Sequence, residues 1–157
     1  MARRPILEMT FASNLAYIEI AVAGCCQVAR QLGFTDDECT DMCLALRESL
    51  NNAIVHGNHR GNGLTVRVRL SGVQGRIEMA VRDQGTGFNP DVVPDPTAPE
   101  NLLKPCGRGI FLMRHIMDTI GFRFPRGGGT EVLLTRMARP QPGCQVPAHA
   151  DAHGDRS

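Results

Sequence analysis

Apolar residues recur every three or four positions in three parts of the chain and alternate with polar residues in five others. The helical spacing predicts three helices, at residues 15–32, 35–57 and 107–120. The alternating spacing predicts five strands, at residues 5–12, 64–70, 77–82, 122–124 and 130–136. Glycine-bearing turns at 71–75 and 127–129 would join the last four strands into two antiparallel hairpins.

Residues that cap helices stand where these patterns begin and end. Ser13 is a candidate N-cap for the first helix, and Gly33 is placed to end it in a left-handed conformation. Thr35 and Glu38 have the spacing of a capping box at the start of the second helix. Gly121 follows the third apolar stripe and is predicted to end that helix.

The second helix carries two polar side chains on the side opposite its apolar stripe. Glu48 and Asn52 are four residues apart, so one stands above the other, well away from Leu46, Leu50 and Ala53. A carboxylate and a carboxamide stacked in this way can direct oxygen atoms at one point. That arrangement suits a hard cation and a water molecule or hydroxyl group beside it.

Two glycine-bearing segments further along the chain are candidates for the same site. Asp83 ends a predicted strand before Gly85 and Gly87, so its carboxylate could accept a hydrogen bond from an exocyclic amine while the glycines admit a flat ring. The sequence 107–109, Gly-Arg-Gly, opens a helix and offers backbone amides to a phosphate. Alone, each segment is also typical of an ordinary turn or helix start.

Composition excludes several classes of protein. Lys104 is the one lysine of the 157 residues, so the chain has neither a Gly-Lys-Ser/Thr phosphate loop nor the strand lysine of eukaryotic protein kinases. A net charge of +1 gives no reason to expect nucleic acid as a direct ligand. No apolar run approaches the roughly 20 residues of a membrane span, and the start of the chain is unlike a signal peptide, so we expect a cytoplasmic protein.

The six cysteines form no C-x-x-C pair. Cys25 and Cys43 occupy helix positions that favour small apolar residues, so we predict reduced, mostly buried thiols.

Residues 88–106 contain half of the ten prolines and show no periodicity, which is typical of a functional lid or of disorder. We predict one domain at 1–137, with a lid at about 88–106, and a disordered tail at 138–157.

The order of these motifs matters more than any one of them. E-x-x-x-N on a helix, D-x-G-x-G after a strand, a long lid, G-x-G opening a helix and Gly128-Gly129-Thr130 entering the last strand follow one another over residues 10–136. This series resembles the Bergerat-type ATPase fold of gyrase, Hsp90, histidine kinases and MutL. The resemblance implies an α+β two-layer sandwich, in which three helices cover one face of a mixed, mainly antiparallel sheet.

Within that superfamily, the short chain and the phrases N-N-A-I-V-H-G and G-R-G-I-F-L-M-R-H-I-M-D resemble the bacterial anti-sigma-factor serine/threonine kinases. The resemblance implies ATP and Mg²⁺ as cofactors. It implies a sigma factor and an anti-anti-sigma protein of the STAS type as partners, and a homodimer. Two alternatives stay open: an ATP-binding module that transfers no phosphate, and a protein that binds no nucleotide.

The same resemblance assigns roles to individual residues. Asn52 would hold Mg²⁺, and Glu48 would act as general base on a substrate hydroxyl or orient it. Asp83 would read the adenine amino group. The remaining predicted nucleotide-binding residues are Gly85, Gly87, Gly107, Arg108, Gly109 and Thr130.

Overall fold

A computed structural model describes residues 4–86 and 108–140 of the chain. In these residues the sheet is built from five strands: β1 (Leu7–Ala12), β2 (Thr65–Val73), β3 (Arg76–Arg82), β4 (Thr119–Arg123) and β5 (Glu131–Met137). Three α-helices accompany it: α1 (Ile18–Gln31), α2 (Asp36–Asn52) and α3 (Arg108–Ile116). A 3₁₀ turn at Leu15–Tyr17 precedes α1, and a π-helical turn at Ala53–Gly57 extends α2.

The strands lie in the order β1-β2-β3-β5-β4, and each described pairing is antiparallel. β2 and β3 continue to Val73 and Arg76, so their turn is the two residues Gln74 and Gly75 rather than the longer one expected. The predicted α+β fold with a mainly antiparallel sheet is confirmed. The parallel pairing that a mixed sheet would contain is not found among the described strands.

The core lies between the helices and one face of the sheet. Alternate strand positions point into it, as the period of two requires. The fully buried side chains at its centre are Met42, Leu46, Leu50, Ile54, Val66, Val68, Leu70, Ile77, Met79, Val81, Met113 and Leu134. Each such side chain stabilises the fold by about 1.5–3 kcal/mol relative to exposure, which fixes the helices on the sheet.

The capping box at the start of α2 is confirmed. Thr35 Oγ1 accepts a hydrogen bond from the Glu38 amide, and Glu38 Oε2 accepts one from the Thr35 amide at 3.0 Å. The prediction for α1 was wrong by one residue, because Asn14 rather than Ser13 caps the first turn through its side-chain oxygen. Gly33 ends the first helical segment at a φ of +85°, as predicted.

The third helix ends earlier than its apolar stripe indicates. α3 stops at Ile116, and Ile120 and Gly121 belong to β4, so the prediction of a helix to 120 was wrong. The helix ends early because the chain that follows it pairs with the edge of β5. Asp118 donates to the carbonyl of Thr135 at 3.0 Å, and the chain then pairs along β5, which keeps Ile120 opposite Leu134 on the core side.

Residues 88–106, predicted as a lid, lie outside the described part of the chain, and so does the predicted tail beyond Pro140. Among the described helices, none is both long and apolar enough to cross a bilayer.

Candidate functional site

The acid–amide pair of α2 meets the start of α3. A Cβ atom built on Gly109 would lie 2.7 Å from Glu48 Oε2, 3.4 Å from Asn52 Nδ2 and 3.6 Å from Asn52 Oδ1. Both polar side chains are partly exposed, so their ends converge on a point that a side chain at residue 109 would fill. The structure therefore brings together three of the residues singled out in the sequence.

The first turn of α3 adds positive electrostatic potential beside this pair. Arg108 is the first residue of the helix and is exposed, and Gly109 follows it. The backbone amides and the dipole at the start of a helix attract anions. The carboxylate of Glu48 lies close to this helix end. A phosphate bound beside Gly109 would lie close to the same backbone amides of α3.

Asp83 is held rigidly where β3 ends. It is 3% exposed, and its Oδ1 accepts hydrogen bonds from the amides of Gly85 and Thr130, both at 3.0 Å. Its own amide donates to the carbonyl of Thr130, also at 3.0 Å. With one oxygen atom committed to the backbone, the carboxylate has a fixed direction.

The surroundings of Asp83 are made of glycine backbone. Oδ2 lies against Gly57, and a Cβ atom at that residue would overlap it. A Cβ atom at Gly85 would overlap the Gly57 carbonyl, and one at Gly129 would overlap the Asp83 carbonyl. Gly129 also has a φ of +82° and donates to the Gly85 carbonyl at 2.7 Å. The lack of a side chain at Gly85 is therefore required by packing within the protein itself.

Gly57, Gly85 and Gly129 form a glycine cage around Asp83, and Thr130 borders it. Thr130 is fully buried, and within the described residues its hydroxyl has no hydrogen-bond partner. Buried hydroxyl groups nearly always have a partner, so an unpaired one beside a fixed carboxylate indicates a place for water or a ligand.

The π-helical turn joins the two halves of the site. The Asn58 amide donates to the carbonyl of Ala53 at 2.8 Å, five residues back, which closes the turn. It brings Gly57 against Asp83 only about one turn beyond Asn52 on the same helical segment. π-helical turns inside helices are frequent at functional sites. Nothing in the spacing of apolar residues predicted this turn.

Asn58 is a second residue that sequence reasoning missed. We interpreted it only as a turn former, but it is 2% exposed and its side chain joins three segments. Nδ2 donates to Ser13 Oγ at 3.1 Å and to the Thr65 carbonyl at 3.0 Å, and Oδ1 accepts from the Gln84 amide at 2.8 Å. It thereby fixes the segment that leads from Asp83 to Gly85.

Gly87 and Gly107 lie outside the described residues, so their predicted roles stay predictions. Hollows also occur elsewhere among the described residues. One of about 410 Å³ lies beside Gln84 between Arg67 and Arg82. Another of about 670 Å³ lies on the face of the sheet that the helices leave open, and it touches none of the predicted site residues.

The fold and this site together define a histidine kinase-like ATPase domain. The family model of that description matches residues 11–136, and the chain belongs to this family.

Its relatives include the serine-protein kinase RsbW of Bacillus velezensis, which is 29% identical over 83% of this chain and 84% of the relative. RsbW of Bacillus subtilis is 28% identical over the same shares. A crystal structure of the RsbU and RsbW domains of a Mycobacterium tuberculosis protein matches 88% of this chain and 34% of that longer chain, with a TM-score of 0.54 and 18% identity. That structural match supports the fold alone.

Proposed function

We propose that the protein is an ATP-dependent serine/threonine kinase that acts on another protein. The observation that carries this proposal is the convergence of Glu48 and Asn52 on Gly109 at the positive end of α3. Membership of the ATPase family and similarity to kinases named for serine phosphorylation support it.

The donor set fits a magnesium ion. Mg²⁺ in phosphoryl-transfer sites takes one or two protein oxygen atoms and completes its shell with phosphate oxygens and water. Asn52 Oδ1, with Glu48 beside it, supplies such a minimal set, and Gly109 leaves the space open. No cluster of three or more acidic, histidine or cysteine ligands occurs in residues 4–86 and 108–140, which agrees with a site that the nucleotide itself completes.

The side chains divide the remaining work between binding and proton transfer. When bound, Mg²⁺ neutralises charge on the triphosphate, and Asn52 would position it. Glu48, one helical turn earlier, would accept the proton of the substrate hydroxyl or orient that hydroxyl. The amides at the start of α3, with Arg108, would hold phosphate oxygens. Phosphoryl transfer depends mainly on such positioning and charge neutralisation.

Recognition of the base would fall to the glycine cage. Asp83 Oδ1 already accepts two amides, so Oδ2 is the oxygen that would accept a hydrogen bond from the adenine amino group. Thr130 Oγ1 would find its missing partner in the nucleotide or in a water molecule bound with it. Gly87 and Gly107 complete the proposed site from outside the described residues.

The regulatory role is proposed from the resemblance to anti-sigma-factor kinases. In that role, the protein sequesters a sigma factor and phosphorylates a STAS-type anti-anti-sigma protein. In this proposal it acts as a homodimer in the cytoplasm. Residues 1–137 form the kinase domain with a lid at about 88–106.

Phosphotransfer is tested with Mg²⁺ and [γ-³²P]ATP on a candidate anti-anti-sigma protein. We expect labelling by the wild type and its loss in Glu48→Ala, with ATP binding retained. Asp41→Ala is the matched control, since Asp41 lies two turns earlier on nearly the same face of α2. It should label normally.

The contact of Glu48 with the start of α3 favours one alternative, an ATP-binding regulator in which this carboxylate only stabilises the helix end. In that case neither the wild type nor Glu48→Ala labels any cognate substrate, and both bind ATP.

A further inference from the structure

Four cysteines meet where α1 packs on α2. This thiol cluster consists of Cys25 and Cys26 on α1 and Cys39 and Cys43 on α2, and all four are free thiols. Ion pairs fix the two helices on either side of the cluster. Arg47 binds Glu19 through two hydrogen bonds of 3.0 and 2.9 Å at one end, and Arg30 binds Asp36 at 3.0 Å at the other.

The members of the thiol cluster differ in their access to solvent. Cys25 and Cys39 are 0% and 1% exposed, whereas Cys26 and Cys43 are only partly buried. The prediction of burial holds fully for Cys25 and Cys39 and in part for Cys26 and Cys43. One cysteine on each helix is therefore partly exposed to water.

Cys43 stands at the centre of the thiol cluster. Its sulfur lies 3.7 Å from the carbonyl of Val22, which is one helical turn before Cys26 on α1. The thiols of both Cys25 and Cys26 interact with it. Cys25 is additionally held by the Met79 sulfur at 3.3 Å, toward the core.

The charges around Cys43 favour its thiolate. The interaction with the Cys25 thiol, that with Cys26, and the nearby guanidinium groups of Arg47 and Arg30 lower the pKa of Cys43, against the opposing effect of burial. Burial raises the pKa of Cys26, and the charge of Cys43 raises it further. Of this pair, Cys43 is therefore the thiol that loses its proton more readily.

We propose that Cys43 is an oxidation site for hydroperoxides, and that Cys26 resolves the oxidised form into a disulfide that links α1 to α2. Low-pKa, accessible cysteines beside a second thiol are the usual targets of this chemistry. Cys26 is preferred to Cys25 and Cys39 as the resolving thiol because it is the other accessible member. A metal site is not favoured, since the described residues hold no cluster suited to one.

The chemistry balances in two steps. The Cys43 thiolate attacks the terminal oxygen of the hydroperoxide, the O–O bond breaks, and sulfur loses two electrons while the peroxide leaves as alkoxide or hydroxide. The product is Cys43 sulfenic acid, which is neutral, so the charge that raised the pKa of Cys26 is gone. The Cys26 sulfur then attacks the Cys43 sulfur, an S–S bond forms, and the Cys26 proton leaves with the hydroxyl group as water.

The full chain, treated with hydrogen peroxide at neutral pH and digested with trypsin, tests this proposal. Cleavage after Arg30 and Arg47 separates Cys26 from Cys43, so the disulfide joins the peptide ending at Arg30 to peptide 31–47. We expect this linkage in the wild type and in the matched control Cys39→Ser, and its reversal by dithiothreitol. In Cys26→Ser we expect no linkage, and dimedone should trap sulfenic acid at Cys43.

A second readout separates reactivity from structure. The rate of alkylation of Cys43 by iodoacetamide should reach half its maximum at a lower pH than that of an ordinary thiol, which does so near pH 8.5. The linkage persisting in Cys26→Ser, or the absence of any oxidation at Cys43 in variants that melt normally, would overturn the proposal. Neither result depends on ATP, so its failure is distinct from that of the kinase proposal.

Discussion

At the scale of single residues, glycines leave the space in which the charged and polar side chains of the site lie. Gly109 leaves room for the ends of Glu48 and Asn52, and Gly57, Gly85 and Gly129 close around Asp83. Each lies where the backbone or a functional side chain of another segment needs its space. A methyl group added at one of them therefore tests the geometry without changing any charge.

The substitution Gly109→Ala should weaken nucleotide binding and slow phosphotransfer by about tenfold or more, while the protein stays folded. The added methyl group would lie 2.7 Å from Glu48 Oε2, so this flexible side chain must move from the site. A displacement of about 1 Å in a catalytic group can cost on the order of 100-fold in rate. Titration with Mg-ATP and the labelling assay measure the two effects.

Gly127→Ala is the control for this experiment. Gly127 lies in the turn between β4 and β5, and a Cβ atom there would meet nothing within 4 Å. Equal activity of the two alanine variants would show that the space at Gly109 is not used.

The substitution Asn58→Ala should lower the free energy of unfolding by about 2–4 kcal/mol. It leaves the Gln84 amide, the Thr65 carbonyl and the Ser13 hydroxyl without this partner in partly buried surroundings; each such group costs about 1–3 kcal/mol when fully buried and less where water replaces the bond. Urea unfolding measures the loss. Asn62→Ala, at an exposed turn residue nearby, should change stability by less than about 0.5 kcal/mol.

The chemistry of the residues could be predicted in part. Glu48, Asn52 and Asp83 stood out because their spacing and place at an element's end are local properties. The role of Asn58 could not be found in this way, since its bonds reach 45 residues back and 26 residues forward, and such contacts have no periodicity.

At the scale of elements, caps and edges decide where the helices begin and end. The capping box at the start of α2 extends into tertiary structure, because Glu38 Oε1 also accepts the amide of Arg139 at 2.8 Å. One carboxylate thus holds the start of α2 and the chain that follows β5.

Glu38 makes the stability of the fold depend on pH. Burial alone would raise its pKa, but the hydrogen bonds from Arg139 and Thr35 outweigh it and lower the pKa below 4.5. A lowered folded-state pKa means that the stabilisation is complete above about pH 4.5 and is lost as the pH falls through the folded-state value. The loss should begin below pH 5.

In Glu38→Gln the free energy of unfolding should fall less steeply below pH 5 than in the wild type, because glutamine does not titrate; its one oxygen can accept the Thr35 amide but not the Arg139 amide as well, so the variant is also less stable at neutral pH. Urea unfolding at a series of pH values measures the slope. Asp37→Asn, at an exposed acid of the same turn, should keep more of the wild-type slope. Parallel slopes for wild type and Glu38→Gln would contradict this assignment.

Most elements could be predicted from periodicity, and the two features that it did not predict, the end of α3 and the π-helical turn, both involve contacts between distant segments. The stripe formed by Ile116, Met117 and Ile120 fits a helix, yet β5 offers an edge whose backbone groups need partners, and β4 forms there. At the π-helical turn, Gly57 lies against Asp83, a contact between distant segments that local spacing does not predict. At β4, hydrogen bonds to β5 outweigh the local helical spacing.

At the scale of the whole molecule, the fold brings the ends of β3 and β5 against the helical segment that carries Glu48 and Asn52. α2 supplies Glu48 and Asn52, its π-helical extension supplies Gly57, and β3 and β5 carry Asp83 and Thr130 to that extension. The order of motifs along the chain resembles that of the Bergerat-type ATPase fold, and from this resemblance we predicted that these residues lie close together. The glycine cage that fixes Asp83 became evident only in three dimensions.

The thermal unfolding of the full chain with and without Mg-ATP tests the central claim most directly. Ligand at 100 times its dissociation constant should stabilise the wild type by about 2.7 kcal/mol. Asn52→Ala and Asp83→Asn should lose most of this shift, and Asp41→Ala should keep it. A wild type whose melting curve does not move at millimolar Mg-ATP, or a full shift in both site variants, would contradict the account.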